Sequence, residues 1–333
     1  MATIYDVSVM AGVSLATVSR VVNNNAKVSE KTRLKVLEAM EKLDYRPNAT
    51  ARSLASNRSD SVGVLVSQLE GPYYGTMMQQ IEEALRSAGK HVIIAAGRSD
   101  EALEKDGVEF LLDRGCDALV LDVEAVTDEY LVQLAKGRTP IVLINRYIDA
   151  IQDRCIYLDN EQGGYLATSH VVSLGHRDVA YVSGPLYKLD VRQRIAGHKR
   201  ALAEAGIDYD ERYFVEGDFA EDGGAAAMEA LLERGVPLSA VVCANDRMAS
   251  GAIAVCLERG LSVPGDISVM GYDNNPLPRY ISPTMSTISN PIHEMGKMAA
   301  HWVLKHVYQV DVAIAFEFMP TLIPRGSTAV KTP

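Results

Sequence analysis

Long apolar runs are missing from this chain: no stretch approaches the 18 residues that a membrane-spanning helix needs. Cysteine is scarce, with four among 333 residues. Cys116, Cys155, Cys243 and Cys256 form no CxxC pair and have no histidine at metal spacing, so they read as reduced, mostly buried thiols. The signatures of nucleotide and nucleophile chemistry are also absent. VSQLEGPYYG stands where a GxGxxG would follow the first strand-like run, and neither a GxxxxGKS/T nor a GxSxG occurs. Gly163-Gly164 and Gly223-Gly224 open helices without phosphate-loop spacing. The seven histidines are scattered, and His170, His176 and His198 read as helix-end or surface residues. With no Ser/His/Asp or metal cluster converging, neither enzymatic activity, nor a metal, nor a cofactor is expected. The first residues, MATIYDVSVMAGVS, lack a basic stretch and a long apolar stretch and carry Asp6 and Gly12, so they do not read as a signal peptide; a cytoplasmic location is the expectation.

What is present is enough material for two or three compact units, at 47% hydrophobic and 23% charged residues. The net charge of −10 is unevenly distributed. Residues 1–60 hold nine Lys/Arg against six Asp/Glu, a balance of +3, which leaves −13 for the rest. A basic head on an acidic body suits a protein that touches a polyanion with its head alone.

Within that head, Thr3 precedes Ile4, Val7 and Ala11 at helical spacing, and Thr3 with Asp6 resembles a capping box. Gly12 supplies the left-handed residue that ends the helix. Ser14 reads as the cap of a second helix from 15 to about 23, buried through Val18 and Val22 with Val21 at the edge. Ser29 caps a third, carrying Leu34, Leu37, Met40 and Leu43 and ending before Tyr45-Arg46-Pro47. Helix, glycine turn, helix is the unit whose second helix enters the major groove of DNA. Leu15 and Ala16 would meet thymine methyls or shape, and Arg20 a guanine. Ser14, Thr17, Ser19 and Asn23 suit phosphates, and Thr3, Asn48 and Arg52 complete the candidate DNA contacts. Residues 48–60 are small, polar and weakly helical, a linker with Leu54 as its single large apolar side chain.

From Ser61 strand-like and helix-like segments alternate. Strands are expected at 62–66, 91–95, 118–121, 141–144, 155–158, 179–182, 213–216, 240–243 and 268–271. Helices are expected at 74–88, 106–114 and 128–136, and between the later strands. The alternation gives an α/β body of doubly wound parallel sheets, and about 270 residues of it divide best into two lobes. Ligands of such sheets bind beyond the carboxyl ends of the strands. Tyr73-Tyr74, Asn145-Arg146, Asn245-Asp246, Asp273 and Phe219 follow strands, and Arg194 opens a helix. Carboxylates, amides, an arginine fork and aromatic rings are a sugar site's inventory, although a helix cap or loop bond would equally occupy Asn145 or Asp246.

AGVSLATVSRVVNN and LDYRPNATARSLAS, followed by NRYIDAIQDRCIYLDN, GHRDVAYVSG, ANDRMASGA, VPGDISVMGYDN and FMPTLIPR, resemble the LacI/GalR family of bacterial repressors along essentially the whole chain. VLINR, RCIYLDN and FMPTLIPR are most similar to its galactose-repressor branch. The resemblance implies a helix-turn-helix domain at 1–47, a hinge helix or linker at 48–60, and an effector-binding and dimerisation body at 61–333. That body would be periplasmic-binding-protein-like, with lobes at about 61–159 plus 290–319 and about 160–289 plus 320–333. The resemblance also implies a hinge helix formed on specific DNA, with Leu54 as the wedge in the minor groove. Asp273, Arg194, Asn245, Phe219 and the Tyr73-Tyr74 pair match effector contacts, with Asn145 a weaker correspondence. GPYYG departs from the branch, which usually has two phenylalanines there. The expected partners are a pseudo-palindromic operator, a second copy of the chain and a small sugar. After Arg325 no leucine heptad follows, so a dimer is expected. The expected activity is repression of a carbohydrate-catabolism operon, relieved by galactose or a related hexose. The alternatives are a sugar binder without a DNA role and a regulator that uses its ligand as corepressor.

Overall fold

Thr3 starts the first helix by closing a capping box. In the computed structural model, which describes residues 2–22, 28–46 and 58–332, the Asp6 N–H donates to Thr3 Oγ1 at 3.3 Å and the Thr3 N–H to Asp6 Oδ2 at 2.8 Å. Two amides that α1 (Ile4–Ala11) cannot satisfy internally are thereby paired. Gly12, at φ +65°, ends the helix. Ser14 Oγ accepts the Thr17 N–H at 3.2 Å to begin α2 (Leu15–Val22), and Ser29 accepts the Thr32 N–H to begin α3 (Glu30–Lys42). Residues 1–60 and 61–333 form separate compact units.

The core of the first unit is Val7, Val18, Val21, Val36 and Ala39. This differs from the sequence reading in two places. Val21, not Val22, is the buried neighbour of Val18. On α3 Leu34 and Leu37 face outward, 52% and 45% exposed, while Val36 and Ala39 turn inward and the expected Met40 and Leu43 pack half-buried against the core. Three short helices meeting over so small a core need short side chains at the crossing, so Val36 and Ala39 fill it while Met40 and Leu43 close its edge.

In the second unit β1 (Ser61–Val66), β2 (His91–Ala96), β3 (Ala118–Leu121), β4 (Ile141–Ile144), β5 (Cys155–Leu158) and β11 (Glu317–Phe318) make a parallel sheet in the order β11-β5-β4-β3-β1-β2. A second sheet runs β12 (Thr321–Ile323), β10 (Ser286–Ser289), β9 (Ser268–Asp273), β8 (Ala240–Cys243), β6 (Val179–Ser183), β7 (Phe214–Glu216), parallel except where β12 meets β10. The chain passes between sheets three times: after β5, between β10 and β11, and between β11 and β12. The pleat sorts the apolar residues of β1. Val62, Val64 and Val66 join Met77, Ile81 and Leu85 of α4 (Pro72–Ser87), whereas Leu65 points to the other face with Leu111 of α5 (Glu101–Asp113) and Leu131 of α6 (Asp128–Ala135).

The second sheet carries α7 (Asn160–Ser173), α8 (Leu189–Glu204), α9 (Glu221–Glu233) and α10 (Asp246–Glu258). α7 meets α8, and α9 meets α10, with backbone almost on backbone. A Cβ on Gly197 would lie 1.9 Å from the Glu161 carbonyl oxygen, and one on Gly251 would lie 2.0 Å from that of Glu221. α11 (Ile292–His306) returns to pack against α4.

Several boundaries differ from the sequence expectation. α5 begins five residues before 106, because Asp100 caps it by accepting the Leu103 N–H at 3.0 Å. Arg194 does not open a helix but sits in the second turn of α8. β9 continues to Asp273, which is its last residue. His176 and His198 are buried, not at the surface. His198 pairs with Thr168 Oγ1 at 2.8 Å and lies 4.6 Å from the Tyr181 ring, and burial pushes its pKa down to about 3, so the ring is a neutral core group. Its flanking Gly-His-Lys-Arg gave no hint of this, because the burial comes from α7 and β6.

Candidate functional site

The carboxyl ends of strands from both sheets open on one cavity of about 500 Å³. Tyr73, Tyr74, Asn145, Arg194, Phe219, Asn245 and Asp273 all line it, together with Asp122, Glu124, Lys188 and Asp190, which the sequence reading did not single out. Asp122 follows the last residue of β3 and was open to the same strand-end argument as Asn145. Nothing local distinguishes Lys188 and Glu124.

Arg194 is 4% exposed and fully engaged on one side. Its Nε donates to Asn160 Oδ1 at 2.9 Å and its Nη1 to the Ala244 carbonyl at 2.8 Å. Nη2 lies 3.3 Å from Asp190, and the guanidinium sits 3.9 Å over the Tyr272 ring. A fork held at so many points pays little entropy when a ligand arrives. Asp273 ends β9 at φ +103° and accepts from Asn290 Nδ2 at 3.4 Å. Burial pushes its carboxyl up to about 6, against the pull of the Arg194 charge. A rigid donor fork and a strong acceptor thus face one space, which suits vicinal hydroxyls.

The other amides divide. Asn145, at φ +59°, donates from Nδ2 to Asp122 Oδ1 at 3.2 Å and to the Tyr73 hydroxyl. Asn245 is committed at both ends: Oδ1 caps α10 by accepting the Met248 N–H at 2.8 Å, and Nδ2 holds the Phe219 carbonyl at 2.9 Å. The cap is therefore Asn245 rather than its neighbour, and its work is to fix Phe219, at φ +69°, against the cavity. Asp246 is buried beneath, accepting from Thr287 Oγ1 at 2.6 Å and the Asn275 N–H at 3.0 Å. The rings of Tyr73 and Tyr74 meet edge-on at 5.1 Å.

One ion pair spans the cleft. Lys188 Nζ, on the β6 side, reaches Glu124 Oε1, on the β3 side, at 2.5 Å, and Ser99 also donates to Glu124. Burial, then the Glu124 charge, pushes the carboxyl of Asp122 up to about 7. A carboxyl that holds its proton more tightly folded than unfolded favours folding at low pH, and that contribution is lost as pH rises from about 4 to about 7. Asp122→Asn keeps an acceptor for Asn145 and removes the charge. With no ligand added, the variant should match the wild type in stability near pH 4 and exceed it at pH 8 by on the order of a few kcal/mol, read from thermal melts; a gain independent of pH would refute the assignment.

In the first unit, Ser14, Leu15, Ala16 and Arg20 are exposed along α2, with Leu15 42% exposed. Thr17 and Ser19 are half-buried, and Thr17 is bound to Ser14. Thr3 is engaged in its capping box. Asn23, Asn48, Arg52 and Leu54 lie outside the described residues.

Residues 3–48 match the lacI family of bacterial regulatory proteins, and residues 168–328 match a periplasmic binding protein-like domain. The chain is 40% identical to the HTH-type transcriptional regulator GalR of Escherichia coli (strain K12), over all of this chain and 97% of that protein. It is 36% identical to the regulator GalS of Salmonella typhimurium over 99% of this chain and 97% of the other. Among solved structures, a lac repressor dimer bound to operator and an anti-inducer superposes with a TM-score of 0.87 at 30% identity, covering 98% of this chain and 99% of that one.

Proposed function

The chain belongs to the LacI family of bacterial regulatory proteins, and from that premise we propose that it represses a carbohydrate-catabolism operon until a sugar occupies the cleft. Two copies read the two halves of a pseudo-palindromic operator through α2, with Arg20 on guanine and Leu15-Ala16 on thymine methyls or local shape. The effector is galactose or a related hexose. The observation that carries this reading is that Arg194, clamped from behind, and Asp273, both carried by the second sheet, line one cavity with Asp122 and Asn145 of the first, between two sheets joined by three chain crossings. Such a site binds a polyhydroxyl ring best in one lobe orientation. The sugar can shift the DNA-competent population only by its differential affinity for the two states. A coupling of about 1–3 kcal/mol weakens operator binding roughly 5–150-fold. The hydroxyls of Tyr73 and Tyr74 add polar contacts to the ring that phenylalanines would lack.

The test is anisotropy titration of an operator selected from random DNA, with and without millimolar hexose. Operator affinity that no hexose alters would end the inducer reading. Leu54→Ala checks the other half. Removing the apolar wedge that kinks the duplex should cost roughly tenfold or more in operator affinity, at about 1.4 kcal/mol per tenfold, and leave calorimetric sugar binding unchanged. A variant with wild-type operator affinity would show that Leu54 is only a linker residue.

A further inference from the structure

Glu104 is an acidic side chain that solvent does not reach. It stands in the first turn of α5, and its carboxylate accepts three backbone N–H groups, those of Glu124, Ala125 and Val126, each at 2.9 Å. A buried carboxylate is tolerated where donors answer it. Its effect here is to fix the turn after β3 that carries Glu124.

A second segment fixes the Glu124 side chain. Arg98 and Ser99, between β2 and α5, are consecutive non-glycine residues at φ +54°. Backbone in that region is costly and persists only where its surroundings hold it. The Gly97 and Arg98 N–H groups donate to the Val66 and Ser67 carbonyls at 2.9 Å. The bend sets Ser99 Oγ 2.6 Å from Glu124 Oε2. Oε1 is left for Lys188 of the second lobe, at 2.5 Å.

The cation is placed as firmly. Lys188 stands at the start of α8, the helix of Arg194, with its ammonium 5.6 Å from the centre of the Phe219 ring. The Lys188 N–H donates to the Pro185 carbonyl at 3.1 Å, Glu216 accepts the Leu186 N–H at 2.9 Å, and Arg192 holds the Leu186 carbonyl at 3.0 Å. The side chains of the pair are 7% and 19% exposed. Arg146–Asp128, Arg194–Asp190 and Arg247–Glu221 each join residues of one lobe, whereas Lys188–Glu124 joins both. An exposed ion pair contributes little, because two long side chains must be ordered and salt screens them. This one is ordered beforehand and shielded. Opening lets water back onto both ions and offsets part of the lost attraction, so the bias has the size of an allosteric coupling and not of a fold.

We propose that Lys188 and Glu124 form a latch that favours the closed lobe orientation before any effector binds, and that Glu104 is the positioning residue that sets Glu124 for it.

Spin labels on the full chain test it, at Gln133→Cys on α6 and Ala203→Cys on α8, exposed positions on different lobes. The native cysteines are buried. Labelled chain is diluted into excess unlabelled chain, so that distances within one chain are read. No ligand is added, so the outcome does not depend on what the effector is. Dipolar spectroscopy on the wild type should show mainly the separation of this structure. Lys188→Met and Glu124→Gln should each raise a longer-distance population about fivefold or more, the lower end of allosteric couplings. Glu104→Gln, which keeps the shape and offers one acceptor oxygen fewer, should do the same and add nothing to Lys188→Met. Should Glu104→Gln not fold, Ser99→Ala frees the Glu124 side chain without touching the core, and should raise that population in the wild type but not in Lys188→Met. The latch is overturned if the ligand-free wild type is already mostly in the longer state, or if Lys188→Met leaves the distances unchanged. A Glu104→Gln effect that adds in full to that of Lys188→Met would reduce Glu104 to a support of the fold.

Discussion

The Asp273→Asn protein should grip its operator as tightly as the wild type and lose about 10–150-fold in sugar affinity. A hydrogen bond to an ionised group contributes about 1.5–3 kcal/mol, and the carboxylate is the strong acceptor on the floor of the cleft. Asparagine preserves almost everything else. It tolerates positive φ better than most residues, which matters at φ +103°, and its Oδ1 still accepts from Asn290. Arg194 is not orphaned by the change, because Asn160, Asp190 and the Ala244 carbonyl remain. Sugar concentrations that release the wild type should therefore leave the variant on DNA. Calorimetry gives the first quantity and anisotropy the second. Wild-type sugar affinity in the variant would reduce Asp273 to a wall of the cavity. Loss of operator binding without sugar would break the division between reading head and sensing body.

Gly197→Ala should unfold the second lobe more easily by about 3 kcal/mol or more. Overpacking typically costs about 1–3 kcal/mol when side chains can shift, but here the new methyl carbon meets the Glu161 carbonyl at 1.9 Å and the Tyr165 N at 2.6 Å. Helix backbone cannot change rotamer, so α8 must move off α7. That movement pulls Arg194 away from Asn160, and sugar affinity should fall with stability. Gly75→Ala is the control. It lies in α4 with nothing within 4 Å of the added carbon, and alanine there should stabilise by about 0.5–1 kcal/mol. Urea titrations compare the two. Equal effects would mean that the helix pair is looser than its glycines imply.

Local chemistry decided a large part of this protein before any packing. Thr3, Gly12 and Ser29 fix the ends of the head's helices because a cap or a left-handed residue acts within four positions of itself. Alternating strands and helices announced the two-sheet body, and strand ends named seven residues that do line one cavity. Sequence did not reveal which of those polar groups are free to meet a ligand. Asn245 spends both ends on Met248 and on Phe219, 26 residues away, and Lys188 finds Glu124 at a separation of 64. His198 is neutral because α7 and β6 bury it, and Val36 and Ala39 of α3 are buried in place of Leu34 and Leu37 because two other helices press there. In each case the deciding partner comes from a distant segment. The energy of a polar or apolar group depends on what excludes water from it, and that is set only when the sheets and helices have closed around it.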